Sequence, residues 1–205
     1  MSDDRGSPAS TLAGVRYGGV VRHADDRGAL REIWRASATQ LDPRDTGDAA
    51  ERTPAFVQAN LSTSVAGVLR GLHFHQRQLD RWLVVNGRAW VALVDVRPML
   101  ADQPTPKIET RELAADEWVV IPAGVAHGFL ALEPLDLIYF VTNEYDGSDE
   151  LGFAWDDPVA RVPWPTVDAA PDGRPILSDR DRSNPSLVDL VAQVRSGSRT
   201  SSHST

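Results

Sequence analysis

The chain has 205 residues, no cysteine, and 21 basic against 29 acidic side chains, a net charge of −8. That length fits one generous domain with tails, the charge argues against a general nucleic-acid or anionic-membrane surface, and the lack of cysteine excludes disulfides, thiol catalysis and cysteine-ligated zinc. The start, Met1-Ser-Asp-Asp-Arg-Gly-Ser-Pro8, has no apolar signal core, and no apolar run approaches the roughly 20 residues of a membrane helix, so a soluble cytoplasmic protein is expected.

Residues 1–13 are polar and turn-rich and read as a disordered terminus, 14–195 as a single domain, and 196–205 as a disordered low-complexity tail. Within the domain, Gly18–His23 predicts a first strand, Asp25–Gly28 a turn and Ala29–Arg35 a second strand. The polar stretch Gln40–Pro54 reads as an irregular surface insertion. From Phe56 onward short β-type runs follow one another: Phe56–Asn60, Val68–His75, Arg81–Val85, Ala89–Val96, Ile108–Leu113, Glu117–Ile121, His127–Leu132 and Leu135–Thr142. Asn86-Gly87 between two of these runs predicts a type I′ hairpin, because both residues tolerate positive φ. Many short strands at fairly regular spacing predict an all-β double sheet, and a jelly roll is the preferred form. Only Ser186–Arg195 has helical apolar spacing, so one short C-terminal helix is expected, with Asn184-Pro185 as cap and first residue.

Chemistry concentrates in Gly67-Val-Leu-Arg-Gly-Leu-His73-Phe-His75. On an extended strand His73 and His75 share one face, and Arg70 points the other way unless the Gly71 backbone turns it. A third histidine, His127, follows the Pro122-Ala-Gly124 turn, and Tyr139 sits on the run Leu137–Asn143. Inward polar residues of neighbouring strands meet in the mouth of a closed double sheet, where an imidazole base and a tyrosine acid can flank one small ligand. A second reading takes His73, His75, Asp80 and His127 as a metal set, since imidazoles with a carboxylate suit zinc or another divalent transition metal in a dioxygenase or isomerase. That reading leaves Tyr139, Asp181, Arg27 and Trp155-Asp-Asp-Pro158 without a role. A third reading is a catalytically silent binding or assembly protein.

In combination, Phe56–Asn60, Gly67–His73, Ile121–Phe129, Tyr139–Tyr145, Trp155–Pro158, Trp164-Pro165 and Leu177-Ser-Asp-Arg-Asp181 resemble the dTDP-4-dehydrorhamnose 3,5-epimerase family over residues 14–190. The resemblance implies a cupin-type jelly roll, or double-stranded β-helix, that works as a homodimer without metal or dissociable cofactor. It further implies inversion of C3, C5 or both in a dTDP-linked 4-keto-6-deoxy sugar, through an enolate, in deoxysugar biosynthesis such as that of rhamnose. By the same resemblance His73 is the general base, Asp181 the carboxylate that orients it and Tyr139 the acid on the opposite face. Arg70, His75, His127, Gln58, Asn60 and Tyr145 match residues lining the substrate cavity, and Arg27 and Glu32 match residues that a partner subunit contributes for the diphosphate and thymine. Three departures stand out: Asp80 lies where the family usually has a lysine beside the enolate oxygen, His75 where it commonly has glutamine, and Phe140 where it has lysine. A carboxylate in the first of these places is expected to repel an enolate.

Overall fold

The computed structural model describes residues 9–35, 55–167 and 173–201. In chain order its strands are β1 (Arg16–Gly19), β2 (Arg22–Asp25), β3 (Gly28–Arg31), β4 (Gln58–Ser64), β5 (Leu69–Phe74), β6 (Asp80–Asn86), β7 (Arg88–Asp95), β8 (Lys107–Ala114), β9 (Glu117–Ile121), β10 (Val125–Ala131), β11 (Leu135–Val141) and β12 (Leu151–Gly152). Three helices accompany them, α1 (Arg97–Leu100), α2 (Asp179–Arg182) and α3 (Leu187–Ser201). One sheet has the order β1-β9-β6-β11-β4 and the other β12-β5-β10-β7-β8, each with every neighbour antiparallel. Between them lies a core of Trp82, Val84, Val91, Leu93, Phe129, Leu135 and Leu137, drawn from both sheets. This is the expected double-sheet jelly roll, and β2 and β3 stand apart from it as a two-stranded hairpin.

The two sheets differ in how they are covered, and the sequence pattern follows the cover. The β12-to-β8 sheet has a second core on its outer face, where Leu72, Phe74, Val94 and Phe153 meet Leu187, Leu190, Val191 and Val194 of α3. Those four helix residues fall at the three- and four-residue spacing of a single apolar stripe. With both faces covered, β10 is buried at every residue, which is why Val125–Ala131 is nearly continuous in apolar and small side chains. In the other sheet β4 alternates half-buried and exposed residues, the pattern of a strand with one wet face.

Several expectations need correction. Asn86-Gly87 is not a hairpin: β6 and β7 belong to different sheets, and the dipeptide is the corner where the chain crosses between them. Only Gly87 has positive φ, and a Cβ there would come within 2.2 Å of the Pro134 carbonyl oxygen, so the corner demands glycine for space as well as conformation. The expected first strand Gly18–His23 is split into β1 and β2, and the second ends at Arg31 rather than Arg35. Residues 9–13, read as part of a disordered terminus, are held in place, because Ser10, Thr11 and Tyr17 all hydrogen-bond the Glu109 carboxylate. Helix α3 is capped by Ser186, whose hydroxyl accepts the Asp189 N–H at 3.2 Å, and not by Asn184-Pro185. It also continues through Ser201, into the segment read as a tail. The Gln40–Pro54 insertion, residues 1–8 and residues 202–205 lie outside the described residues. Among the described residues no helix is long and apolar enough to cross a membrane.

Candidate active site

A cavity of about 460 Å³ opens between the sheets, within the size range of small-ligand sites. Its lining comes from inward positions of β4, β5, β6, β10 and β11, the period-two alternation delivering Gln58 and Asn60, Asp80 and Trp82, and Leu137 and Tyr139 to the same side. On β5 the alternation is interrupted. His127 pairs with His73 and Phe129 with Arg70, so three steps on β5 face two on β10, a bulge centred on Gly71 and Leu72. Gly71 has φ +123, and a Cβ on it would strike the Gly128 Cα at 2.7 Å. The bulge therefore turns Arg70 onto the face that carries His73 and His75, the exception that Gly71 allowed for.

His73 Nε2 lies 2.9 Å from Asp181 Oδ1. The carboxylate is held in turn by the Ser178 hydroxyl, which donates to Oδ2 at 2.9 Å while accepting the Asp181 N–H as the cap of α2. Burial pushes the Asp181 carboxyl up, but its bonds to His73, Ser178 and the Gly71 amide outweigh this and hold it below the usual carboxylate range. An ionised Asp181 fixes Nε2–H toward itself and leaves Nδ1 as the nitrogen able to take a proton. Tyr139, opposite Asn60 on β4 and Trp82 on β6, has no hydrogen-bond partner for its hydroxyl among the described residues. Burial raises its pKa, the Asp80 and Glu150 charges raise it further, and Arg70 opposes them, so the phenol keeps its proton.

Deeper in the cavity, Asp80 is buried and accepts from the Gln78 amide at 2.8 Å and the Trp82 indole at 3.2 Å. His127 packs edge-on to Trp82, and burial lowers its pKa to about 4, with Asp80 pulling the other way. His75 sits 2.6 Å by Nδ1 from the Asp149 carbonyl. Arg70 is anchored to Ser64 and to the Thr63 carbonyl, and the Gln58 amide bridges Asn60 to the Tyr145 backbone at the rim. Gln58, Asn60, Arg70, His73, His75, His127, Tyr139 and Tyr145 thus all line one cavity, and Asp181 backs it. Arg27 and Glu32 do not reach it; they lie on and beside the exposed β2–β3 hairpin, paired with Asp25 and Arg35. The four-residue metal set does not assemble either: among the described residues His75, Asp80 and His127 cluster without His73, which is engaged with Asp181. Phe140 faces away from the cavity, in an outer cluster with Trp34, Phe56 and Arg81, so that departure does not touch the site. Sequence reasoning missed Trp82, Glu150 and Arg180 as lining residues; the first was legible from strand alternation, whereas the other two arrive on loop and helix ends with no periodicity to follow.

A cupin-type jelly roll thus encloses a cavity lined by a histidine–aspartate pair and by a tyrosine whose hydroxyl has no partner among the described residues, an arrangement chemically able to move protons, as enzymes of the isomerase class do. The family model described as dTDP-4-dehydrorhamnose 3,5-epimerase matches residues 9–189, and the chain belongs to that family. It is 33% identical over 171 residues to the dTDP-4-dehydrorhamnose 3,5-epimerase of Pseudomonas aeruginosa, covering 80% of this chain and 86% of that one. Among solved structures it is similar to the rmlC epimerase of Mycobacterium tuberculosis, with a TM-score of 0.76 and 32% identity over 91% of this chain and 90% of that chain. It is also similar to ChmJ, a 3'-monoepimerase from Streptomyces bikiniensis solved in complex with dTDP-quinovose, with a TM-score of 0.72 and 26% identity over 91% and 89% of the two chains.

Proposed function

We propose that the protein inverts C3, C5 or both in a dTDP-linked 4-keto-6-deoxy sugar by proton transfer between His73 and Tyr139. The observation that carries this is the meeting, in one cavity, of an imidazole oriented by a carboxylate and a protonated phenol with no other partner among the described residues. A proton on a carbon beside a ketone is acidic because the electron pair left behind delocalises onto the oxygen as an enolate. His73 Nδ1 removes that proton and becomes imidazolium beside Asp181. Return of the electron pair from the enolate to carbon, with the Tyr139 proton delivered from the opposite face, gives the inverted centre and restores the ketone. The phenolate and imidazolium left behind are neutralised by proton exchange with solvent, so the net reaction is an isomerisation.

The nucleotide part of the substrate needs cation donors, and Arg70 and Arg180 at the cavity supply two. Incubation with dTDP-4-keto-6-deoxyglucose in heavy water, followed by NMR, tests the proposal: deuterium is expected at C3, C5 or both, with inverted product. His73→Ala is expected to reduce exchange by roughly 10²–10⁴-fold. Absence of exchange in the wild-type protein at both carbons sinks the reading, and exchange without inversion leaves a deprotonating enzyme but not an epimerase.

A further inference from the structure

At the floor of the cavity, His75, Asp80 and His127 are all buried, and each brings one ligand atom to within 4.8 Å of the other two. Both imidazoles are held from behind in the same manner. Nδ1 of His75 lies 2.6 Å from the Asp149 carbonyl oxygen and Nδ1 of His127 3.1 Å from that of Val125. A carbonyl only accepts, so in the neutral ring Nδ1 carries the hydrogen and Nε2 keeps its lone pair. Nε2 of His127 faces Asp80 Oδ2 at 3.7 Å, beyond hydrogen-bonding distance. That spacing is close to the about 3.4 Å between two ligands that sit about 2.1 Å from one tetrahedral metal ion. Asp80 is oriented as well, by the Gln78 amide on Oδ1 and the Trp82 indole on Oδ2. Two imidazoles and a carboxylate, each fixed by a hydrogen bond behind it, form both the donor set and the support that divalent transition metals select.

We infer that His75, Asp80 and His127 bind one divalent first-row transition metal ion, with its open coordination positions facing the cavity. His73 is not a ligand, because it lies outside the group whose ligand atoms converge, and it is held instead by Asp181. The chain's single lysine, Lys107 on β8, is not among the cavity-lining residues, so the cluster lacks an ammonium neighbour that would compete for Asp80. A bound cation would offset the Asp80 charge at the cavity floor and present a site for an oxygen atom of whatever small molecule enters. The inference goes beyond the proton-transfer reading and does not depend on it.

The test is metal binding rather than turnover. The full chain, stripped with chelator and dialysed, is titrated with Zn²⁺ by calorimetry and with Co²⁺ by visible absorption. One equivalent per chain is expected, with cobalt d–d bands of nitrogen and oxygen ligation. Asp80→Asn, which keeps the shape of the side chain, and His127→Gln should each weaken binding by at least the roughly 10–100-fold that follows loss of a supporting partner alone. His73→Ala should bind as the wild type does. Absence of a Co²⁺ spectrum in the wild type overturns the site, as does binding that survives Asp80→Asn undiminished, or binding lost with His73→Ala in a variant that keeps its fold by circular dichroism. Should His127→Gln fail to fold, Asp80→Asn and the wild-type spectrum still decide.

Discussion

His73 divides its two ring nitrogens between Asp181 and the cavity, and Tyr139 offers its hydroxyl to the cavity alone. Replacing one or the other should therefore separate two observables. Tyr139→Phe keeps the ring and its packing and leaves the base in place, so solvent exchange is expected to persist while most inverted product is lost, as read by NMR in heavy water; normal inversion by this variant would rule out Tyr139 as the acid. Asp181→Asn keeps the place of the imidazole and removes its charge partner, and the expected loss of exchange is smaller than the roughly 10²–10⁴-fold of His73→Ala. A loss equal to that of His73→Ala would make Asp181 as necessary as the base itself. Most of the residues concerned were legible in the sequence because strand alternation assigns a side chain to a face. Asp181 was legible only through family resemblance, since a helix cap by Ser178 and a contact across the fold bring it to His73. Asp80 was named from the sequence as a candidate metal ligand; of its two N–H donors, Trp82 follows from alternation on β6, whereas Gln78 lies before the strand, where no period applies.

Elements depend on contacts of the same kind. Ser10, Thr11 and Tyr17 converge on Glu109 of β8 and pin the first described residues to the sheet. Burial pushes the Glu109 carboxyl up, but the bonds from Thr11, Tyr17 and Ser10 outweigh it and the pKa falls below the ordinary value. A folded-state pKa that is depressed contributes stability fully present above the unfolded value of about 4.3, and that contribution is lost as pH falls through the folded value. Amide exchange at Thr11, whose N–H donates to Glu109 at 2.7 Å, should accordingly accelerate below about pH 4 before the sheets open. Glu109→Gln should produce the same loosening at neutral pH, with a stability loss of about 1 kcal/mol because the carboxylate is only half-buried. Unchanged Thr11 exchange in that variant would mean that something else holds the terminus. The sequence could not announce this contact, because its partners lie far apart along the chain, and so the terminus read as disordered. The Asn86-Gly87 corner failed for a related reason: a dipeptide reports the backbone it tolerates, not which sheet the next strand joins.

For the whole molecule, the hairpin β2–β3 is informative because so little of it is covered among the described residues. Leu30 is 72% exposed, and Ile33 and Trp34 beside it are exposed as well, while Leu61 on β4, at the sheet edge among the described residues, is 64% exposed between Val57 and Val65. Apolar side chains along an open edge and an isolated hairpin are surfaces that a second copy of the chain can bury. We expect a homodimer in solution at micromolar concentration, with Arg27 and Glu32 of one copy approaching the cavity of the other. Light scattering should give the dimer mass for the wild type and a shift toward monomer for Leu61→Glu; a monomeric wild type would leave Arg27 and Glu32 without a part in substrate binding. The unequal cover of the two sheets has a consequence for how such a protein can diversify. The wall formed by β5 and β10 holds His73 against a strand buried at every residue, so change there is costly, whereas Gln58, Asn60 and Ser62 project from a strand whose other face is exposed in the single chain and packs on none of its own core. Substitutions on that second wall can reshape what the cavity accepts while the proton-transfer groups stay in register, which makes β4 the place where a change of sugar is most easily acquired, in nature or in a mutant library.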